Sequence, residues 1–292
     1  MNLYLRRFCT LSDADYSIEN ADVAFLGVPF DSTVIDRPGA RYGPTAIRTA
    51  FERFEGYNVE RGVDIYKRHR LSDLGDIDAV PGSFELTEER IVDTVQKVFE
   101  KNEKVLPIFL GGEHGITLPI VKAFPKDIAI VSLDAHLDLR DSYLGNKLTH
   151  VTYLRRIAEF IDPKNIIVAG VRSSSEEEEK FAKGAGISYY RTSEIAKDAD
   201  KIAKEIGAKT QGKKVYLTID IDVLDPGLAP GTASPVPNGL QYPALLKLLE
   251  PLADKIAGMD VTEVSPLYDR TEMTAYHAAR AIYDILTLRK TL

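Results

Sequence analysis

One cysteine, Cys9, stands in 292 residues. That excludes a disulfide framework and any metal site built from thiolates, and it fits a reducing compartment. No run of 18 apolar residues occurs, so no membrane-spanning helix is expected. The opening MNLYLRRFCTLSDADYS lacks a long apolar stretch, so no secretory signal is expected either. Basic residues are in deficit, 37 against 44 acidic ones, for a net charge of −7. A chain of that sign is not held to nucleic acid or to anionic membranes by basic patches. Scarce cysteine, methionine and glutamine beside abundant Lys, Glu and Ile form a thermophile-like balance. These absences point to a soluble cytoplasmic globule with neither nucleic-acid nor membrane partners.

What the chain does have is material for a core. Its 44% hydrophobic residues exclude disorder and fibrous repeats. Short apolar runs recur at Val23–Val28, Leu71–Leu74, Val105–Leu110, Ile128–Leu133, Ile166–Val171, Ile187–Tyr190, Val215–Ile219 and Ile256–Val261. Most are continuous rather than alternating, as in strands covered on both faces of a parallel sheet. Between them, Thr87–Glu100, Thr149–Phe160, Ser193–Ile206, Pro243–Ala253 and Thr274–Thr287 carry apolar residues at helical spacing. Alternating strand and helix predicts an α/β fold with three layers, an eight-stranded mostly parallel sheet between helices. With no linker or internal repeat, residues 1–292 read as one domain. The acidic run Glu176–Glu179 follows Ser173–Ser175 and reads as a solvated, serine-capped helix start rather than a cation site.

The chain contains five histidines. His69, among basic residues, reads as surface, and His277, on a helix, as packing. The densest chemical signal is Asp134-Ala135-His136-Leu137-Asp138, directly after a buried-type strand. Spacing of two places Asp134, His136 and Asp138 on one side of an extended backbone, where they can chelate a metal. A second strand ends in Asp220-Ile221-Asp222, whose like charges repel unless a cation lies between them. A third runs into Gly111-Gly112-Glu113-His114. Ligands of open α/β sheets bind beyond the carboxyl ends of strands, so the three groups share one crevice. The candidate ligands are His114, Asp134, His136, Asp138, Asp220 and Asp222. Six are too many for one catalytic zinc and suit two divalent ions with shared carboxylates, for which Asp138 and Asp222 are the bridging candidates. The oxygen-rich, thiolate-free set favours two Mn²⁺ per chain, with a bridging hydroxide as nucleophile.

These pieces, GGEHG (111–115), SLDAHLDLRD (132–141), THVTYLRR (149–156), TIDIDVLDPGLAPGTASP (218–235) and MDVTEVSPLYD (259–269), together resemble the ureohydrolase family of arginases and agmatinases. The segment GVPFDST…RPGARYGPTAIR (27–48) is most similar to agmatinase-type members. The resemblance runs from about residue 22 to 288 and implies a binuclear manganese hydrolase that forms trimers or hexamers. It implies that His150 carries a proton to the leaving amine and that Glu263 pairs with the substrate guanidinium, with Asp138 in the catalytic set. Three features depart from the pattern: Gly115 stands where a serine is usual, Val151 follows the histidine, and the loop Ala233–Asn238 is poor in glycine and glutamate.

On the substrate side, the resemblance to arginases implies an Asn just after the D-x-H-x-D motif and an Asn-x-His approach to hold an α-carboxylate, and the stretch 139–148 has neither. Agmatine, a guanidino compound without that group, is therefore the expected small-molecule partner, cleaved to putrescine and urea. Arg140 and Asn146 are expected to face the variable end of the substrate. Arg140 and Lys147 are cationic, which leaves an acidic guanidino compound such as guanidinobutyrate, or arginine, as an alternative unless Asp141 compensates. Two rivals come from other classes. A single-zinc, deacetylase-like hydrolase would need neither His114 nor the second carboxylate pair, and a silent metal-binding protein would need neither His150 nor Glu263.

Overall fold

The computed structural model describes residues 4–6 and 10–290; Cys9 lies outside the described residues. Its strands are β1 (Leu5–Arg6), β2 (Val23–Val28), β3 (Tyr57–Asn58), β4 (Val63–Asp64), β5 (Leu71–Ile77), β6 (Leu106–Gly111), β7 (Ala129–Leu133), β8 (Ile166–Val171), β9 (Ser188–Arg191), β10 (Val215–Asp220) and β11 (Ile256–Thr262). β3 and β4 form a separate small hairpin. The others make one sheet in the order β1-β5-β2-β6-β11-β10-β7-β8-β9. Eight of its strands are parallel, and the ninth, β1, is a two-residue antiparallel addition on the outer edge of β5. The expected eight-stranded sheet is thus present with one short strand added. Two residues are too few to carry a pattern legible in sequence.

The order of strands places the site. The chain lays down β2, β5 and β6 on one side, leaves a gap, and continues outward through β7, β8 and β9. It then returns, and β10 and β11 fill the gap between β7 and β6. Such reversals leave a crevice at the carboxyl ends of the strands. Register keeps those ends level: Leu133 pairs with Ile219, Asp220 with Thr262, and Val261 with Leu110.

Each strand feeds two cores at once. In β2, Val23 and Phe25 enter one hydrophobic cluster while Ala24, Leu26 and Val28 enter the other. This double burial explains why the runs read as continuous apolar segments. The first core is covered by helices Gly43–Phe51, Ala199–Lys209, Tyr242–Leu249 and Met273–Leu288. The second is covered by Phe84–Lys101, Thr117–Lys122, Tyr153–Ile157 and Glu176–Ala185.

Several local expectations are corrected. The single helix expected over Ser193–Ile206 is two, Thr192–Lys197 and Ala199–Lys209, because Asp198 adopts φ −159° and its carboxylate caps the second by accepting from Lys201 N–H at 3.0 Å. The helix expected over Thr149–Phe160 is only Tyr153–Ile157, since Thr152 Oγ1 ties back to the Lys147 and Thr149 carbonyls. His69 is buried rather than on the surface, its Nε2 2.8 Å from the Leu286 carbonyl. At Ser175 the expected cap is a full capping box with Glu178. Glu178 itself departs from the solvated reading, because it is buried and also accepts from Leu139 N–H at 3.1 Å.

One buried ion pair joins the helix Gly43–Phe51 to the sheet. Arg48, 1% exposed, donates to Asp73 at 2.8 and 3.0 Å and to Asp76 at 2.6 Å. Gly27 makes room for it, since a Cβ there would overlap the Asp76 carboxylate. Arg48→Met leaves Asp73 as an unpaired buried charge, and we expect a loss of about 3–5 kcal/mol in urea unfolding. A shift below about 1 kcal/mol in that measurement contradicts the assignment.

Candidate metal centre and substrate pocket

Four neighbouring strands deliver the candidate residues. β6 ends at Gly111 and the chain turns through Gly112 and Glu113 to His114; β7 ends one residue before Asp134; Asp220 closes β10; Glu263 follows β11 directly. Gly112 permits the turn, because a Cβ there would lie inside the Phe30 carbonyl. The structure brings all six expected ligands together. His114 Nδ1 lies 3.2 Å from Asp134, 3.2 Å from Asp220 and 3.7 Å from Asp138. His136 Nδ1 lies 3.1 Å from Asp222 and 3.5 Å from Asp134. Two groups can each hold a metal: His114, Asp134 and Asp220, and Asp134, His136 and Asp222. The carboxylate common to both groups is Asp134; of the expected bridging candidates, Asp222 is in one group and Asp138 in neither.

Electrostatics sets what such a cluster can contain. Burial, and then the charge of Asp134, pushes the Asp138 carboxyl well above the usual range. Burial and the neighbours Asp222 and Asp134 do the same to Asp220. Burial opposes the charge of Asp134 too, but His114 and His136 outweigh it and hold that carboxyl low. Carboxylates packed this closely out of water favour a cation among them. The donors therefore fit divalent metal, and the ring of His136, 22% exposed, leaves the cluster open to solvent.

The backbone is strained where the chemistry gathers. Asp138 has φ +50° and Glu263 φ +62°, the left-handed region that non-glycine residues seldom enter. Behind His114, its Nε2 lies 2.7 Å from Thr218 Oγ1, and Thr218 donates onward to Asp260. Asp260 is fully buried and also accepts from Tyr216 at 2.6 Å and Thr117 at 2.9 Å. Every oxygen of Asp260 is thus an acceptor, so Thr218 is left to accept from His114 Nε2–H, and Nδ1 keeps a free lone pair for metal. The Tyr153 ring stacks on His114 at 4.1 Å.

Beside the cluster, Glu263 Oε1 accepts from the His114 backbone N–H at 2.8 Å and lies 3.3 Å from His150 Nδ1. Glu263 Oε2 and His150 Nε2 are both buried and make no hydrogen bond within the chain. Burial lowers the His150 pKa, yet the Glu263 carboxylate more than offsets it and lifts it to about 9. For two other expected residues the structure shows partners outside the Glu263–His150 pair. Arg140 is engaged by Glu178 at 3.8 Å and the Tyr143 ring, and the Asn146 carboxamide accepts from Leu148 N–H in its own turn. His277 lies elsewhere, bonded to the Met273 carbonyl. Glu113 escaped the sequence reading. It is fully buried, burial pushes its carboxyl up to about 7, and it binds Thr33. Its only signal in sequence is an acid between a Gly-Gly turn and a ligand histidine.

Comparison with known proteins agrees with this geometry. Residues 21–287 match the model of the arginase family. An agmatinase of Pyrococcus horikoshii is 39% identical, with 98% of each chain covered. An N(1)-aminopropylagmatine ureohydrolase of Thermococcus kodakarensis is also 39% identical, over 93% of this chain and 92% of its own. The crystal structure of the agmatine ureohydrolase of Thermoplasma volcanium superposes with a TM-score of 0.89 at 33% identity, covering 97% of this chain and 94% of its own. The chain belongs to the arginase family and is a ureohydrolase-type enzyme acting on guanidino C–N bonds.

Cation binding should be visible in folding stability. Mn²⁺ at a hundredfold excess over its Kd is expected to add about 2.7 kcal/mol, reversed by a chelator, in thermal or urea unfolding. Asp260→Asn should raise the Mn²⁺ concentration needed by about 10–100-fold. Identical curves with Mn²⁺ and with chelator contradict the metal assignment.

Proposed function

We propose that the chain binds two Mn²⁺ and hydrolyses agmatine to putrescine and urea. The observation that carries this reading is the pair of unpartnered buried atoms, Glu263 Oε2 and His150 Nε2, beside the cluster of His114, Asp134, His136, Asp220 and Asp222, with Asp138 3.7 Å from His114. In this reading His114, Asp134, Asp138 and Asp220 hold one ion, and Asp134, His136 and Asp222 hold the other. When bound, the ions supply the Lewis acidity that makes water nucleophilic at neutral pH. The chain's own residues do the rest. Glu263 Oε2 accepts from the planar guanidinium, whose N–H groups match a carboxylate. His114 N–H and the left-handed backbone at Glu263 keep that carboxylate in place. His150, held by Glu263, donates its proton to the departing nitrogen, which leaves as an amine and not as an amide anion.

Agmatine leads over arginine because of the stretch 139–148. Its polar groups are engaged: Arg140 by Glu178, Asn146 by its own turn, and Asp141 by Arg156 at 2.7 Å and Lys147 at 3.6 Å. Glu178 beside Arg140 and Asp141 beside Lys147, the latter shared with Arg156, lessen the repulsion of a cationic substrate. A second reading is favoured by the Thermococcus relative, equal in identity to the Pyrococcus agmatinase: an N-aminopropyl derivative of agmatine, cleaved to urea and the matching triamine.

Urea release decides between them. We expect kcat/KM for agmatine at least tenfold above arginine, since an unpaired buried carboxylate costs several kcal/mol and tenfold requires only about 1.4. Equal turnover of arginine, or preference for guanidinobutyrate, overturns the assignment; preference for the aminopropyl compound selects the second reading. His150→Asn should lower kcat by about 10²–10⁴-fold with full metal content, and loss of metal would make His150 a ligand instead. Asp134→Ala should release both ions in elemental analysis where Asp222→Ala releases one.

A further inference from the structure

The segment between β2 and the helix Gly43–Phe51 spans residues 29–42. It is fastened at both ends to the turns that carry His114 and Glu263. On the His114 side, Glu113 N–H donates to the Phe30 carbonyl at 2.7 Å, and Thr33 N–H donates to Glu113 Oε2 at 2.7 Å. The Thr33 hydroxyl donates to the other carboxylate oxygen, Oε1. On the Glu263 side, Tyr268 donates to the Pro38 carbonyl at 3.1 Å, and Arg37 lies 4.1 Å over the Tyr268 ring. Gly39 sits against Ser265, where a Cβ would overlap Oγ. Asp31 braces the segment internally by accepting from Gly39 N–H at 2.8 Å. Between the two fastenings, Ile35 and Asp36 are exposed.

The Glu113 carboxylate has one further neighbour. A Cβ on Gly115 would stand 2.9 Å from Glu113 Oε1 and 3.3 Å from the Phe84 ring. Backbone is farther away, His150 N at 3.6 Å. An added methyl at 115 would therefore meet chiefly the tip of a movable side chain, and that tip is the one gripping Thr33. We infer that Glu113 is a positioning residue that seats the 29–42 segment over the substrate pocket, and that residue 115 is glycine to leave its carboxylate room. Thr33, Glu113 and Gly115 act as one unit, and their effect reaches the substrate through the shape of the pocket mouth. Among the described residues, the hydrogen bonds of the Glu113 carboxylate go to Thr33 and not to a candidate metal ligand or to His150.

The test is a double-mutant cycle read in two ways. The first readout is hydrogen exchange of the peptide containing the Thr33 amide, in the metal-loaded enzyme. Gly115→Ala should speed exchange there about tenfold or more, with metal content unchanged, and Glu113→Ala should do the same. In the Glu113→Ala background, adding Gly115→Ala should change nothing further, because the carboxylate it displaces is gone. Thr33→Val, on a partly exposed loop and harmless to the core, keeps the N–H and should give a smaller acceleration. Unchanged exchange in Gly115→Ala, or additive effects of the two substitutions, overturns the proposal. The second readout rests on the guanidino-hydrolase reading: Gly115→Ala should raise KM for agmatine about tenfold while kcat stays within threefold. A fall in kcat at unchanged KM would place Glu113 in the chemistry and overturn the positioning role. Wild-type enzyme inert toward agmatine would count against the substrate reading, and the exchange cycle would still decide the role of Glu113.

Discussion

Mutual repulsion among buried carboxylates is the constraint on which the rest depends. Asp134, Asp138, Asp220 and Asp222 gather beyond the carboxyl ends of two adjacent strands, β7 and β10, with His114, His136, His150 and the Arg172 guanidinium as their cationic neighbours. Like charges at such separations, out of water, would push a flexible chain apart. They are held because β7 and β10 pair in register over five residues with both faces covered. The sheet is a rigid frame that imposes an unfavourable arrangement, and that arrangement is what makes the crevice attract cations.

The same frame explains where strain is tolerated. Asp138 and Glu263 both hold left-handed backbone, a cost of order 1–3 kcal/mol each. Glu263 directly follows β11 and Asp138 lies in the loop after β7, and backbone hydrogen bonds hold both. Glu263 N–H donates to the Gly112 carbonyl at 2.9 Å, and the Asp138 carbonyl accepts from Arg155 N–H at 3.3 Å. The orientation of the Glu263 carboxylate is therefore built in before any ligand arrives, which is how a site avoids reorganising when charge develops.

Much of this was legible in sequence. Each of the eight apolar runs corresponds to a parallel strand, because burial on both faces writes itself as an uninterrupted string of Val, Ile and Leu. The residues singled out by spacing of two do meet, but not on extended strand: β7 ends at Leu133, Asp138 has φ +50°, and Asp222 lies in the tight turn Ile221–Val223, so turns after the strands gather them. What was not legible depends on contacts distant in sequence. Arg140 and Asn146 look like free polar groups until Glu178 and the turn at Tyr143–Asn146 are seen to occupy them. Asp134 is common to both metal groups only because β10 lands beside β7, a pairing no local pattern encodes. His69 sits among Tyr66, Lys67, Arg68 and Arg70, a surface-like string, yet the last helix packs over it.

Position in the strand order also bears on how the site forms. β6 and β7 carry His114, Asp134, His136 and Asp138, but they are separated by the gap that β10 and β11 later fill. Until those strands insert, Asp220, Asp222 and Glu263 are absent, and His114 lacks both Thr218 and Asp260 behind it. The last strands to be made thus bring together the two halves of the cluster, supply the hydrogen bonds that orient His114, and add the carboxylate that meets His150. Metal affinity and completion of the sheet are in consequence one cooperative event, because the ligands converge only when the strand pairing is complete.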